Sequence, residues 1–227
     1  SLLGMIPLKA VQAEIVEDQW VYVSGTPVGL YMETQGVLIV DTGEITNEKG
    51  ITEEPAANIV QPGDYILEVN GKGISRKKEL ISEIEKCGGE KVELLVNRKG
   101  EEIPISLEPV FTQEEEYKLG IWVRDNTQGI GTLTYIDQEG KFGALGHGIS
   151  DTDTGELLDV SGGELYQAQI ISIIRGTRGI PGELSGYIEY EEDKKIGTIE
   201  KNTDIGIFGE LFSGMEPSGK KVKIGYK

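Results

Sequence analysis

At 227 residues the chain is long enough for two domains of about a hundred residues each. Lys and Arg number 22 against 39 Asp and Glu, a formal charge of −17. A surface that acidic repels phosphate backbones and anionic lipid heads and so excludes nucleic acid as a partner. The single cysteine, Cys87, excludes an internal disulfide and a cysteine-rich zinc site.

Residues 1–24 read as a lead-in strand, with loose alternation around Val11, Ile15, Trp20 and Tyr22. No apolar run reaches the roughly 18 residues needed to span a bilayer. The opening stretch also lacks the basic start of a signal peptide. Either the protein is soluble as made or an anchor lies outside this sequence.

From Pro27 the pattern becomes compact. Residues 28–32 and 36–40 are β-rich runs joined by Glu33-Thr34-Gln35, which predicts two paired strands. A short helical turn follows over 54–59, with Pro55 near its start. Pro62-Gly63-Asp64 then forms a turn, 65–69 a strand, and Asn70-Gly71 a second turn. Ser75 is placed to cap a helix over 76–86, with Leu80, Ile81 and Ile84 at helical spacing and Gly88-Gly89 as its stop. A final hairpin pairs 91–96 with 103–107. Residues 111–118 are acidic and read as a linker, and from 119 short strands with Gly-rich turns recur, with no helical pattern. The expected division is therefore 1–24 lead-in, 25–110 first domain, 111–118 linker and 119–227 second domain.

The order of elements in 25–110, and above all Pro62-Gly63-Asp64-Tyr65-Ile66-Leu67-Glu68-Val69-Asn70-Gly71, resembles the PDZ domain, in its bacterial, protease-associated form. A PDZ site works by β-augmentation: a peptide adds as a strand to a sheet edge and its terminal carboxylate rests on backbone N–H groups. The resemblance implies that Val28-Gly29-Leu30, of apolar-Gly-apolar form, is the carboxylate loop, with Leu80 and Ile84 on the facing helix. The bland alternative is that Gly29 relieves crowding within a strand and that Leu80 and Ile84 are core.

His147, the one histidine, directly follows a strand predicted at 142–145 and is flanked by Gly146 and Gly148. A side chain held at a strand end yet open to approach suits a general base; an ordinary loop histidine is the competing reading. No metal site or cofactor is expected. Asp151-Thr152-Asp153-Thr154-Gly155 begins like a calcium loop, but its glycine comes one position early and no Glu closes it.

Three further segments resemble the stage IV sporulation protein B peptidases: Leu119-Gly120-Ile121-Trp122-Val123-Arg124-Asp125, residues 129–134, and 143–151 around His147; Gly206-Ile207-Phe208-Gly209 adds a fourth. The resemblance implies a mainly β chain, a PDZ domain (a β-sandwich with two helices) followed by part of a chymotrypsin-like β-barrel, and His147 as the catalytic histidine of a serine endopeptidase. It implies a sporulation signalling role: location between the forespore and mother-cell membranes, an N-terminal membrane anchor in the parent protein, self-cleavage, and cutting of a membrane-bound regulatory protein so that a sigma factor is processed. Its partners would be that substrate and peptide or protein C-termini, with no nucleic acid and no metal.

The family's Gly-Met-Ser-Gly-Ser-Pro nucleophile motif is absent from this sequence. Ser161 and Ser185 stand in loosely similar settings, but Ser161 follows His147 too closely for a two-barrel protease, and Ser185 is one residue off the Gly-x-Ser-x-Gly spacing. The expectation is an amino-terminal piece, inert alone. The alternatives are a non-catalytic PDZ scaffold and, more weakly, a periplasmic quality-control protease.

Overall fold

The computed structural model describes residues 19–213 and 219–224. The predicted features of residues 1–18 lie outside them. In chain order, β1 (Gln19–Val23) leads into a long strand, β2 (Pro27–Thr42), followed by a minimal hairpin of β3 (Ile45–Thr46) and β4 (Thr52–Glu53). Next come β5 (Tyr65–Val69), β6 (Lys72–Gly73), α1 (Lys77–Lys86) and the hairpin β7 (Val92–Arg98) and β8 (Glu101–Leu107). A second minimal hairpin, β9 (Val110–Phe111) and β10 (Tyr117–Lys118), precedes another long strand, β11 (Ile121–Asp137). The remainder is β12 (Lys141–Ala144), β13 (Val160–Ile174), β14 (Glu183–Ile188), a 3-10 turn at Glu192–Lys194, β15 (Lys195–Thr203), β16 (Gly206–Leu211) and β17 (Lys220–Ile224).

Two strands organise the molecule. β2 and β11 run antiparallel along almost their whole length, from Ile121 opposite Thr42 to Thr132 opposite Pro27. Residues 28–34 of β2 also pair with β13. From there β13 pairs with β15, β15 with β16, β16 with β12, and β12 with the far end of β11. The circuit returns to β2, so these six strands close an antiparallel barrel with no free edge in the ring. Its interior is filled by Val28, Leu30, Met32, Leu133, Ile136, Phe142, Ala144, Leu165, Ile196, Ile199 and Ile207.

Beyond Gly36 the same ribbon carries the sheet on out of the barrel, in the order β11, β2, β5, β7, β8. Here the core is Val37, Ile39, Ile66, Val69, Val92, Leu94, Val96 and Leu107, roofed by Leu80 and Ile84 of α1. Asn70 and Gly71, both at positive φ, make the tight turn that the Asn-Gly pair predicts between β5 and β6. Glu79 caps α1 by reaching back to accept the N–H groups of Ser75 at 2.8 Å and Arg76 at 3.1 Å.

The division expected from sequence differs from this arrangement. Residues 27–34, assigned there to the first domain, are a barrel strand, and 121–126, assigned to the second, are a strand of the PDZ sheet. The PDZ unit is thus set between two barrel strands, β2 and β11, while in sequence it still precedes most of the barrel. The stretch read as a linker folds as β9 and β10 and packs Tyr117 against the PDZ core. The expected first helix is a series of turns over 55–59, so α1 is the one α-helix among the described residues.

Candidate functional site: a peptide groove and a histidine loop

Val28, Gly29 and Leu30 do not form a carboxylate loop. They lie mid-strand in β2, paired with β11 on one side and β13 on the other, so no backbone edge is left for a peptide. Val28 and Leu30 are 0% and 1% exposed inside the barrel. Gly29 is small because of crowding: a Cβ there would sit 2.3 Å from Cγ2 of Ile188. Leu80 and Ile84 are buried in the PDZ core but also floor a groove.

That groove, about 910 Å³ in volume, runs between α1 and residues 117–123. Its apolar lining comes from Leu80, Ile81 and Ile84 on one side and Leu119, Ile121 and Trp122 on the other. Trp122 is 67% exposed. Residues 121–126 pair with β2 on one side, and among the described residues no strand pairs with their other edge. An open strand edge facing a helix is the geometry β-augmentation requires. Leading into that edge is a second apolar-Gly-apolar triplet, Leu119-Gly120-Ile121. Gly120 has φ +67, and a Cβ there would lie 2.7 Å from the Gly43 carbonyl, so only glycine fits. The sequence carried this signal, but its position after the linker disguised it.

Charge around the groove is mixed. Lys118 forms ion pairs with Glu114 and Glu116, and the hydrogen bond to Glu114 holds its ammonium pKa above the usual value. On α1, the backbone N–H groups of Ser75 and Arg76 hold the Glu79 carboxyl below the usual carboxylate range. The two walls are tied at one end by Asp125, whose Oδ2 accepts the Lys77 N–H at 2.8 Å, the first turn of α1.

His147 lies just past β12, where the chain turns sharply: Leu145 has φ +68 and Gly146 φ +85. Gly148 packs so closely that a Cβ would be 2.4 Å from the Thr203 carbonyl. Asn202 of β15 clamps the next residue, accepting the Ile149 N–H and donating to the Ile149 carbonyl, both at 2.8 Å. The loop backbone is therefore fixed while the imidazole is exposed. Nδ1 lies 2.8 Å from the Gly148 carbonyl oxygen. A carbonyl only accepts, so Nδ1 carries a proton; in the neutral ring the lone pair then lies on Nε2, the tautomer a general base needs.

Among the described residues no serine hydroxyl or carboxylate bonds to this ring. Ser161 donates to the carbonyls of Glu33 and Thr34 at 3.3 Å, bridging β13 to β2. Ser185 sits opposite Ser172 in the β13–β14 hairpin. Neither is brought to His147 by any hydrogen bond. No group of three or more His, Cys, Asp or Glu among the described residues is placed to hold a metal ion.

A closed β-barrel carrying a fixed, accessible histidine, with a strand-and-helix groove set into it, defines a peptide-handling protein of the kind that joins a PDZ module to a peptidase domain. Residues 49–98 match the family model of a PDZ domain, and residues 115–227 match that described as SpoIVB peptidase S55, in that order along the chain. The two matches together, PDZ first and peptidase second, are those of the SpoIVB peptidase S55 family that the sequence motifs resemble. Among solved structures, the PDZ domain of the SdrC-like protein from Listeria monocytogenes is 20% identical, with a TM-score of 0.30, and the match covers 39% of this chain and 87% of that one. The peptidase match begins before β11, so the strand that edges the PDZ groove is encoded within the peptidase segment.

Proposed function

We propose that this chain is the histidine-bearing portion of a serine endopeptidase that acts in sporulation signalling, with the α1–β11 groove receiving the C-terminus of a peptide or protein. The family-model matches support a peptidase that carries a PDZ module. The observation that carries the finer reading is His147: a rigid loop, an exposed ring and an Nδ1 turned to the Gly148 carbonyl. In this reading Nε2 takes the proton of a serine hydroxyl as that oxygen attacks the scissile carbonyl, then returns it to the leaving amine. The nucleophile and the orienting carboxylate come from outside the described residues, and the 227-residue chain alone is inert. The substrate is a membrane-associated regulatory protein whose cleavage leads to processing of a sigma factor. Self-cleavage, and location between the forespore and mother-cell membranes on an N-terminal anchor, belong to the same reading.

Labelling the full-length protein with a serine-directed fluorophosphonate tests the catalytic assignment. Label in the wild type and none in His147→Ala is the expected result. Absence of label in both, with peptide capture retained, makes the protein a non-catalytic scaffold. For the groove, peptides ending in a free apolar residue should change Trp122 fluorescence saturably at about micromolar concentration, and Ile81→Glu should abolish the change. A flat titration across a C-terminal peptide library overturns this assignment.

A further inference from the structure

The groove edge and the histidine loop are joined by one side chain. Neighbouring residues on a strand point to opposite faces. On β11, Asp125 reaches α1, whereas Arg124 reaches the loop after His147. The Arg124 guanidinium bonds to Asp151 through Nη1 and to Asp153 Oδ2 through Nη2, the latter at 2.7 Å. The Asp151 side chain is 0% exposed, and its other oxygen, Oδ1, accepts the N–H groups of Asp153 and Thr154, each at 2.9 Å. The carboxylate thus holds the turn together from inside while Arg124 holds the carboxylate. Ile149 and Leu158 of the same loop pack against Leu38 and Tyr65 of the PDZ sheet, and the Tyr65 hydroxyl accepts the Asp159 N–H at 3.0 Å.

We propose that Arg124 and Asp151 are positioning residues that transmit occupancy of the α1–β11 groove to His147. The proposal rests on the groove reading above. A peptide strand added to the open edge of 121–126 fixes the twist and height of β11, and with it the base of the Arg124 side chain. A buried carboxylate cannot be left without its cation except at high cost, so the Asp151 turn follows Arg124 rather than parting from it. Asp151 is four residues from His147, with Ile149 between them clamped by Asn202. With Ile149 held as a pivot, displacement of the turn is passed on to the orientation of the His147 imidazole while the hydrogen bonds of the loop backbone stay in place. The ligand class is a peptide C-terminus, and its effect is on the geometry of the base.

The composition supplies two clean probes: His147 is the only histidine, and Trp122 is one of two tryptophans, the other being Trp20. In a Trp20→Phe background, Trp122 fluorescence reports groove binding and the imidazole NMR signals report His147. The probe is a library peptide with a free C-terminal carboxylate that saturates the Trp122 signal. In the parent, the His147 signals are expected to shift with the same concentration dependence. Asp151→Asn keeps the acceptor for the Asp153 and Thr154 amides but removes the charge that Arg124 holds. It should leave peptide affinity unchanged and abolish the His147 shift. Arg124→Gln with Asp151→Asn should do the same without a stranded charge, which separates loss of the link from loss of folding. Equal His147 shifts in parent and variants overturn the proposal, as does a parent whose His147 ignores a bound peptide. If no peptide saturates Trp122, the groove reading has failed by itself. The link is then read from Asp125→Asn, whose shift of the His147 signals must vanish in the Asp151→Asn background, and persistence there overturns it.

Discussion

Asp64 shows how much one side chain of a turn can do. Pro62-Gly63-Asp64 reads from sequence as a reversal, which it is, but its carboxylate is also the electrostatic anchor of the PDZ core. It is 1% exposed and receives Nε and Nη2 of Arg98, both at 2.7 Å, together with the Gln61 N–H at 2.9 Å. Replacing Arg98 with Met strands that charge and should lower unfolding free energy by about 3 kcal/mol in denaturant titration. Pairing the change with Asp64→Asn should recover part of the loss. The sequence offered no means of matching residues 34 positions apart. The same limit explains the misplaced carboxylate loop. Val28-Gly29-Leu30 and Leu119-Gly120-Ile121 are equivalent as triplets, and only the pairing of strands distinguishes the one sealed in a barrel from the one that borders a groove. The setting of His147, by contrast, was legible, because a glycine-flanked histidine after a strand is a local pattern, and it does lie exposed just past β12.

At the level of elements, what local chemistry dictates is where it was expected: the Asn70-Gly71 turn, the β7–β8 hairpin and α1 with its buried Leu80 and Ile84. The long strand β2 was read as two. Glu33-Thr34-Gln35 looks like a connection because it is polar, yet Thr34 is buried, its hydroxyl bonded to the Gly36 carbonyl at 2.6 Å, and the chain bends at Gly36 without reversing. That bend passes β2 from the barrel to the PDZ sheet. Gly36 has φ +91, and a Cβ would fall 2.4 Å from the Ile66 carbonyl. Gly36→Ala should therefore cost about 2–3 kcal/mol, read as a lowered thermal midpoint. Loss should appear in both halves of the molecule, since both share the strand.

For the whole molecule, the interleaving decides which pieces can stand alone. A fragment of residues 25–110 follows the boundaries suggested by sequence, but it lacks the groove strand and carries a barrel strand with no barrel. A fragment of 35–126 holds every strand of the PDZ sheet and both walls of the groove. The longer-reaching fragment should give a cooperative unfolding transition and retain the Trp122 response to peptide, whereas 25–110, which contains no tryptophan, should give no cooperative transition. Calorimetry with fluorescence titration checks both. Homology boundaries place the cut elsewhere because residues 121–126 belong by sequence to the peptidase segment and by pairing to the PDZ sheet.

The shared ribbon also sets an order of events during synthesis. β2 leaves the ribosome well before β11, and until β11 arrives the barrel cannot close around it. Bringing such distant strands together by chance is entropically costly and slow. The intervening chain removes that difficulty by folding: once β5, β7, β8 and α1 have assembled on residues 36–42, the sheet edge beside β2 is the docking place for 121–126. Their pairing then carries residues 127–132 into register with 27–32. On this topology the nascent chain is expected to build its PDZ sheet first, and completion of that sheet delivers the aligned strand pair from which the histidine-bearing barrel can close.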